Sequence, residues 1–217
     1  MVKLIKIGKE ELLKINQELE KTLDQHAIDD MALPSYTHRN PMIRWIFWKR
    51  LKKISKEIKE NETILDFGSG FGVLLPTLDK YCSKVYFTDI KSEPSIKMVK
   101  QRKLEKCSFI EAENLLQLKK LNKIICADVL EHIEKLDELI AIFKQILNEN
   151  GCLIVSYPTE NFIYRIGRKI AGFTGEYHKL TYQEIEKIIL KNGFKKIKNS
   201  NIPFLYSLFK IRIYKNL

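Results

Sequence analysis

The sequence predicts an α/β fold: a doubly wound, mostly parallel sheet preceded by an N-terminal helical cap. Three observations predict it. From residue 63 onward, short apolar runs of strand length alternate with amphipathic runs of helical period. A glycine-rich turn, Gly68-Ser69-Gly70-Phe71-Gly72, separates the first such strand from the helix after it. Residues 1–60, in contrast, read only as helix and turn.

Each element has its own signal. Leu12, Ile15, Leu19 and Leu23 stand at helical spacing within 9–25. A polar, turn-rich stretch follows over 26–41, punctuated by Pro34 and Pro41. In 42–60, Ile43, Phe47, Ile54 and Ile58 line one helical face, with Ile46 and Leu51 beside them. Lys49, Lys52, Lys53, Lys56 and Lys59 cluster opposite, and Trp45 and Trp48 stand at the margin. Strands are predicted over 63–67, 84–90, 108–112, 123–127, 152–157, 195–199 and 208–215. The helices between them include 73–81, 94–101, 135–148 and 182–191. Leu136, Leu139, Ile140, Phe143, Ile146 and Leu147 form a core stripe, with Asn150-Gly151 as its C-terminal stop. Thr181-x-x-Glu184 is a capping box opening a helix that Gly193 closes. Strand and helix in alternation require helices on both faces of the sheet.

Composition narrows the function classes. At 217 residues, 45% apolar and 30% charged, the chain suits one sizeable domain with an elaboration. No apolar run is long enough to span a bilayer as a helix. Residues 1–13 alternate Lys with short apolar steps and lack the apolar stretch of a signal peptide, so a cytoplasmic protein is expected. Cys82, Cys107, Cys126 and Cys152 form no C-x-x-C pair and read as reduced, mostly buried thiols, not as a disulfide framework, a zinc site or a nucleophile.

The net charge of +11 is unevenly spread. Residues 1–62 carry 13 Lys/Arg against 10 Asp/Glu, residues 63–157 carry 13 against 13, and residues 158–217 carry 12 against 4. The surplus thus lies in the flanks. Two readings stand: a Lys-rich solvated surface, or flanks that face an anionic partner such as a phosphate-bearing substrate, lipid headgroups or RNA.

The chemistry starts at the glycines. They let the backbone turn sharply and approach a ligand, with a helix N-terminus behind them. The dinucleotide fingerprint would place a sixth-position glycine where Val73 stands, and no Gly-Lys-Ser/Thr follows, so a phosphate-cradling loop is excluded. Asp66 precedes the turn. Asp89 closes the next strand, 21 residues beyond Gly68, where a carboxylate can accept both hydrogens of a ribose diol. Glu113 follows the third strand and Asp128 ends the fourth.

On Asp66-x-Gly68-x-Gly70-x-Gly72, Asp89, the Glu113 region and Ala127-Asp128-Val129-Leu130-Glu131-His132-Ile133, the sequence resembles the class I S-adenosylmethionine-dependent methyltransferases over about residues 60–217. The last run is similar to that of ubiquinone-biosynthesis O-methyltransferases. The resemblance implies a Rossmann-like, seven-stranded, mostly parallel sheet with an antiparallel last strand over 61–217, a cap over 1–60 and a lid insertion at 158–180. It implies S-adenosyl-L-methionine as cofactor. Asp66, Gly68, Ser69, Gly70 and Gly72 would line its methionine half, Asp89 with Ile90 its ribose, Glu113 or Asn114 its adenine, and Asp128 would border the methionine moiety. The family's Gly-Asp pair after the third strand is Ala112-Glu113 here. In some members the positions matching Asp128, Glu131 and His132 bind a divalent ion; no metal set is assigned to this chain.

Methyl transfer from a sulfonium needs alignment and exclusion of water more than covalent help, and a base only where the acceptor must lose a proton. His178, in Gly175-Glu176-Tyr177-His178, is the preferred general base, with His132 as a second catalytic candidate or a structural residue. The lid, with Phe162, Tyr164, Arg165, Arg168, Lys169, Phe173 and Tyr177, together with Trp45, Trp48 and the basic helix, would wall off a small-molecule or lipid-like acceptor and grip its anionic end, or rest on a membrane surface. O-methylation of such an acceptor is the leading expectation. RNA methylation is the rival, suggested by the basic pI. It is weakened because position 128 opens Asp-Val-Leu-Glu instead of the Asn/Asp-Pro-Pro-Tyr of many base N-methylating enzymes. A non-catalytic cofactor-binding protein is the third reading.

Overall fold

The computed structural model describes residues 2–19, 33–159, 179–202 and 207–217. Its strands are β1 (Thr63–Phe67), β2 (Lys84–Thr88), β3 (Cys107–Phe109), β4 (Leu121–Ala127), β5 (Leu147–Pro158), β6 (Phe194–Ile202) and β7 (Phe209–Asn216). They form one sheet in the order β3-β2-β1-β4-β5-β7-β6. β1 pairs in parallel with β2 and β4, β2 with β3, and β4 with β5. β7 runs antiparallel to both β5 and β6. This is the mostly parallel, seven-stranded sheet with an antiparallel last strand that the sequence led us to expect.

Successive side chains in the central strands are apolar because both faces are covered. Ile64, Ile125 and Ile154 join one core with Leu12, Ile15, Leu51, Ile54, Leu75 and Met98. Their neighbours Leu65, Ile124 and Leu153 join the other, with Ile140, Phe143, Ile185 and Ile189. The first core holds α1 (Lys9–Leu19), α3 (Pro41–Ser55), α4 (Leu75–Tyr81) and α5 (Glu93–Arg102), and the second holds α6 (Leu136–Ile146) and α7 (Tyr182–Lys191).

Local differences from the expected elements have local causes. The stretch read as turn contains a short helix, α2 (Leu33–Thr37), which buries Leu33, Ser35 and Tyr36. α3 starts where Asn40 caps it, its side chain accepting the Met42 N–H at 2.9 Å with Pro41 next in line. It stops at Ser55, short of residue 60, and Trp48 is buried, not marginal. β3 ends at Phe109, and Ala112–Gln117 forms a 3-10 turn instead of extending the strand. Asn150-Gly151 does not stop α6. Leu147 pairs with Leu121 and Cys152 with Lys123, so the residues between bulge out of β5, with Asn150 left-handed at φ +66°.

α7 opens with the reciprocal bonds that Thr181 and Glu184 announced. The Glu184 N–H donates to Thr181 Oγ1 at 3.4 Å and the Thr181 N–H to Glu184 Oε2 at 2.7 Å. Thr181→Ala is expected to cost about 1 kcal/mol of stability, read as a lower urea midpoint at unchanged slope.

Candidate functional site

At the C-terminal edge of the sheet, β1 leaves between β2 and β4, with Phe67 beside Thr88 on one side and Cys126 on the other. Here the strand order reverses, and the crevice between diverging connections is the usual ligand position in such sheets. The glycine turn occupies it. Gly68 and Ser69 both donate their N–H groups to the Thr88 carbonyl, at 2.9 and 3.1 Å. Gly68, Gly70 and Gly72 are left-handed, at φ +76°, +53° and +68°. At Gly68 the requirement is double, because a Cβ there would come 2.5 Å from Val129 Cγ2. The β1 exit therefore packs its bare backbone directly on the Val129 side chain at the β4 exit. Ser69 Oγ is buried within the turn and has no hydrogen-bond partner among the described residues.

Two carboxylates flank the turn. Asp89, at the tip of β2, accepts the Gly70 N–H on Oδ2 at 2.8 Å and the Lys91 N–H on Oδ1 at 3.0 Å. A carboxylate offers about four acceptor positions, so acceptor capacity is left for a ligand. Burial raises the Asp89 pKa, and the backbone donors of Lys91, Gly70 and Ile90 counter it. Asp66 is only 3% exposed. Burial first, then the nearby Asp89 charge, pushes its pKa up to about 7.

Asp128 is placed differently. It follows β4 in the left-handed region, at φ +58°, which an Asp tolerates better than most residues. Its N–H donates to the Ser156 carbonyl at 3.2 Å and its Oδ1 accepts the Ser156 hydroxyl. Its other oxygen pairs with the guanidinium of Arg50, which reaches in from α3. Arg50 is 3% exposed, donates from Nη2 to the Tyr36 hydroxyl at 2.9 Å, and lies 5.1 Å from the ring centroids of both Phe47 and Phe209. The sequence reading did not single out Arg50. Its burial follows from α3 packing on the sheet, so only the helical phase of a basic residue among apolar neighbours could have signalled it.

The other sequence candidates are distributed around this crevice. Ile90, beside Asp89, is 94% exposed, an apolar side chain free at the strand tip. Glu113 and Asn114 are exposed on the 3-10 turn after β3, with Asn114 Oδ1 accepting from Gln117 Nε2 at 2.7 Å. Leu130–His132 forms a second 3-10 turn in which Glu131 is buried and His132 exposed. The Glu131 carbonyl accepts the N–H groups of Lys179 and Leu180, at 2.9 and 3.3 Å. Beside it lies a cavity of about 250 Å³, bordered by Glu131, Tyr157, Thr159, Leu180 and Tyr182. His178 and the lid residues 160–178 lie outside the described residues. No three His, Cys, Asp or Glu side chains among the described residues group as a metal site. Burial raises the thiols of Cys82, Cys107, Cys126 and Cys152, that of Cys82 to about 12, which keeps them protonated and inert.

Comparison with known proteins bears on this arrangement. The family described as methyltransferase domain matches residues 37–199. The chain belongs to that family. No curated protein matches this methyltransferase. Among solved structures it is similar in fold to a SAM-dependent methyltransferase from Aquifex aeolicus (18% identity, 90% of this chain and 100% of that one, TM-score 0.67). It is likewise similar to the magnesium protoporphyrin IX methyltransferase of Synechocystis with bound SAH (17%, 94% and 100%, TM-score 0.66). A third is the N-methyltransferase NodS of Bradyrhizobium japonicum, in complex with S-adenosyl-L-homocysteine (16%, 93% and 98%, TM-score 0.65).

The site of this methyltransferase makes two predictions. Arg50→Met strands the Asp128 carboxylate and is expected to cost about 3 kcal/mol in urea unfolding. Arg50→Met with Asp128→Asn should recover part of that loss, as the two groups act as a pair. Asp66 supplies a pH signature. Its pKa is higher folded than unfolded, so the folded state binds more protons between about pH 4 and pH 7, and stability falls as pH rises through that window. From about pH 5 to about pH 8 the wild type should lose roughly 2–3 kcal/mol more than Asp66→Asn, whose amide does not titrate.

Proposed function

We propose that this methyltransferase is a cytoplasmic enzyme that methylates a hydroxyl of a small-molecule or lipid-like acceptor, with residues 1–60 as a cap and 158–180 as a lid over that acceptor. Its cofactor is S-adenosylmethionine. When bound, the cofactor supplies a sulfonium whose methyl carbon is the electrophile, so the protein's task is to bind, align and exclude water.

The observation that carries the reading is Asp89. A carboxylate fixed by backbone N–H groups at the tip of β2, with acceptor capacity left for a ligand, suits a ribose diol. The rest of the crevice fits the same group. The glycine turn permits close approach by the methionine half, and the unpartnered Ser69 hydroxyl offers it a polar contact. Asp66 presents a carboxyl that a cationic ammonium nearby would hold ionised. Ile90 offers an apolar surface beside the ribose position, and Glu113 and Asn114 offer polar edges to adenine.

With Arg50 and Ser156 on its oxygens, Asp128 borders the methionine moiety as half of a neutralised pair, so it does not repel the cofactor's carboxylate. For proton removal we assign His178, with His132 on the neighbouring turn as the alternative. The backbone just after His178 is tied through Lys179 and Leu180 to the Glu131 carbonyl, next to the cavity at the end of β5. A ring nitrogen there would take the acceptor's hydroxyl proton as the oxygen attacks the methyl carbon.

The test is a screen of candidate acceptors with radiolabelled S-adenosylmethionine, alongside calorimetry with S-adenosylhomocysteine. Asp89→Ala should weaken S-adenosylhomocysteine binding by about 1.5–3 kcal/mol, roughly 10- to 150-fold. Unchanged affinity on a folded sample would remove Asp89 from the site. His178→Ala should bind S-adenosylhomocysteine as the wild type does and turn over slowly; full activity would reassign the base. Transfer to a nitrogen or to RNA with no hydroxyl acceptor labelled would overturn the proposed reaction while leaving the cofactor site intact.

A further inference from the structure

The outer face of α3 combines basic residues with exposed apolar side chains. Residues 33–56 contain no Asp or Glu and seven basic residues. Arg50 points inward and Arg44 is spent on the carbonyls of His38 and Arg39. Lys49, Lys52, Lys53 and Lys56 have no acidic partner among the described residues. Lys97, Lys123, Lys135, Lys179, Lys191, Lys196 and Lys198 each sit against a carboxylate, whereas other lysines, such as Lys103, Lys119 and Lys120, are likewise without an acidic partner among the described residues. Beside the free ammonium groups, two large apolar side chains stand in solvent, Met42 at 66% and Trp45 at 49% exposed. At 100° per residue, Met42, Trp45, Lys49, Lys52 and Lys56 fall on a single arc of about 80°. The opposite arc buries Trp48, Arg50, Leu51, Ile54 and Ser55.

We propose that this face docks α3 flat on an anionic lipid bilayer, with Met42 and Trp45 among the headgroups and the lysines against lipid phosphates. Unpaired lysines beside a tryptophan and a methionine at one surface are what the interface rewards, since the cations meet anionic headgroups and the apolar tips leave water. A second copy of the chain is disfavoured here, because like charges would oppose each other along the whole helix. Single-stranded RNA is held by stacking on successive aromatic side chains, and the exposed side of α3 offers Trp45 alone among the described residues, with the Lys49 ammonium 4.1 Å over one side of its ring. The inference stands apart from the choice of acceptor, but it has a consequence for it. Arg50, on the inner side of the same helix, grips Asp128. A helix with its side chains is about 10 Å across, so a docked membrane would lie about that far from the mouth of the site, within reach of a lipid-borne hydroxyl.

The two tryptophans make a direct test possible, since Trp45 is exposed and Trp48 buried. Vesicles of phosphatidylcholine mixed with phosphatidylglycerol should shift the emission to the blue and carry the protein in flotation, while pure phosphatidylcholine vesicles should do neither. Trp45→Phe should abolish the shift. Replacing Lys49, Lys52 and Lys56 by Gln should weaken partitioning about a hundredfold, about fivefold for each lysine. Each variant is checked for wild-type S-adenosylhomocysteine binding by calorimetry, which separates loss of docking from loss of the fold or of the cofactor site. Three results would overturn the proposal: no vesicle binding by protein that binds S-adenosylhomocysteine, vesicle binding that the lysine replacements leave unchanged, or binding to polyuridylate alone that those replacements abolish.

Discussion

The site depends on a contact that excludes a side chain. Gly68 and Val129 approach so closely that a single added carbon would collide with the valine. That approach lets the turn after β1 close against the turn after β4 while its N–H groups bond to the end of β2. Three strand exits converge on one crevice as a result. Asp66, Asp89 and Asp128 then stand around it, each controlled by a different environment.

Those environments divide the work among three like side chains. Asp66 is buried with no cation beside it among the described residues and holds its proton into the neutral range. At Asp89 burial raises the pKa and the backbone donors offset part of that rise. Asp128 is neutralised by Arg50 and bonded by Ser156. Three ionised, unpaired carboxylates around one small crevice would repel one another, and the fold avoids this by protonation, by hydrogen bonding and by ion pairing respectively. A cationic ligand facing Asp66 would take over the proton's role there.

α3 is part of this balance. α3 is amphipathic in an unusual sense, with a buried arginine on its sheet side and unpaired lysines outside. The inner charge ties the helix to the site, and the outer charges leave it free to meet an anionic surface. Tyr36, from the short helix ahead of it, and Phe209, from the last strand, complete the surroundings of the Arg50 guanidinium. Residues 33–55 and the last strand thus meet over the exit of β4.

Much of this was legible in the residues. Short continuous apolar runs gave the strands and period-3.6 runs gave the helices, because burial of a sheet on two faces leaves a strong apolar pattern. Glycines followed by an acid at the next strand tip marked the crevice, because those positions require a special backbone or a charge. The short helix at Leu33–Thr37 was missed because proline and polar residues outweigh five residues of helical signal. The bulge at Asn150 looked like a helix stop because a left-handed Asn serves both. Arg50 was hidden among six other basic residues of one segment. The amino-acid order alone determined the alternation of elements, the glycine turn and the carboxylate at the β2 tip, all of which are local requirements of backbone shape. Only the tertiary structure decided which arginine is buried, which aspartate it neutralises and which lysines stay unpaired. Those are contacts between residues far apart in the chain, and burial, not spacing, sets their energy.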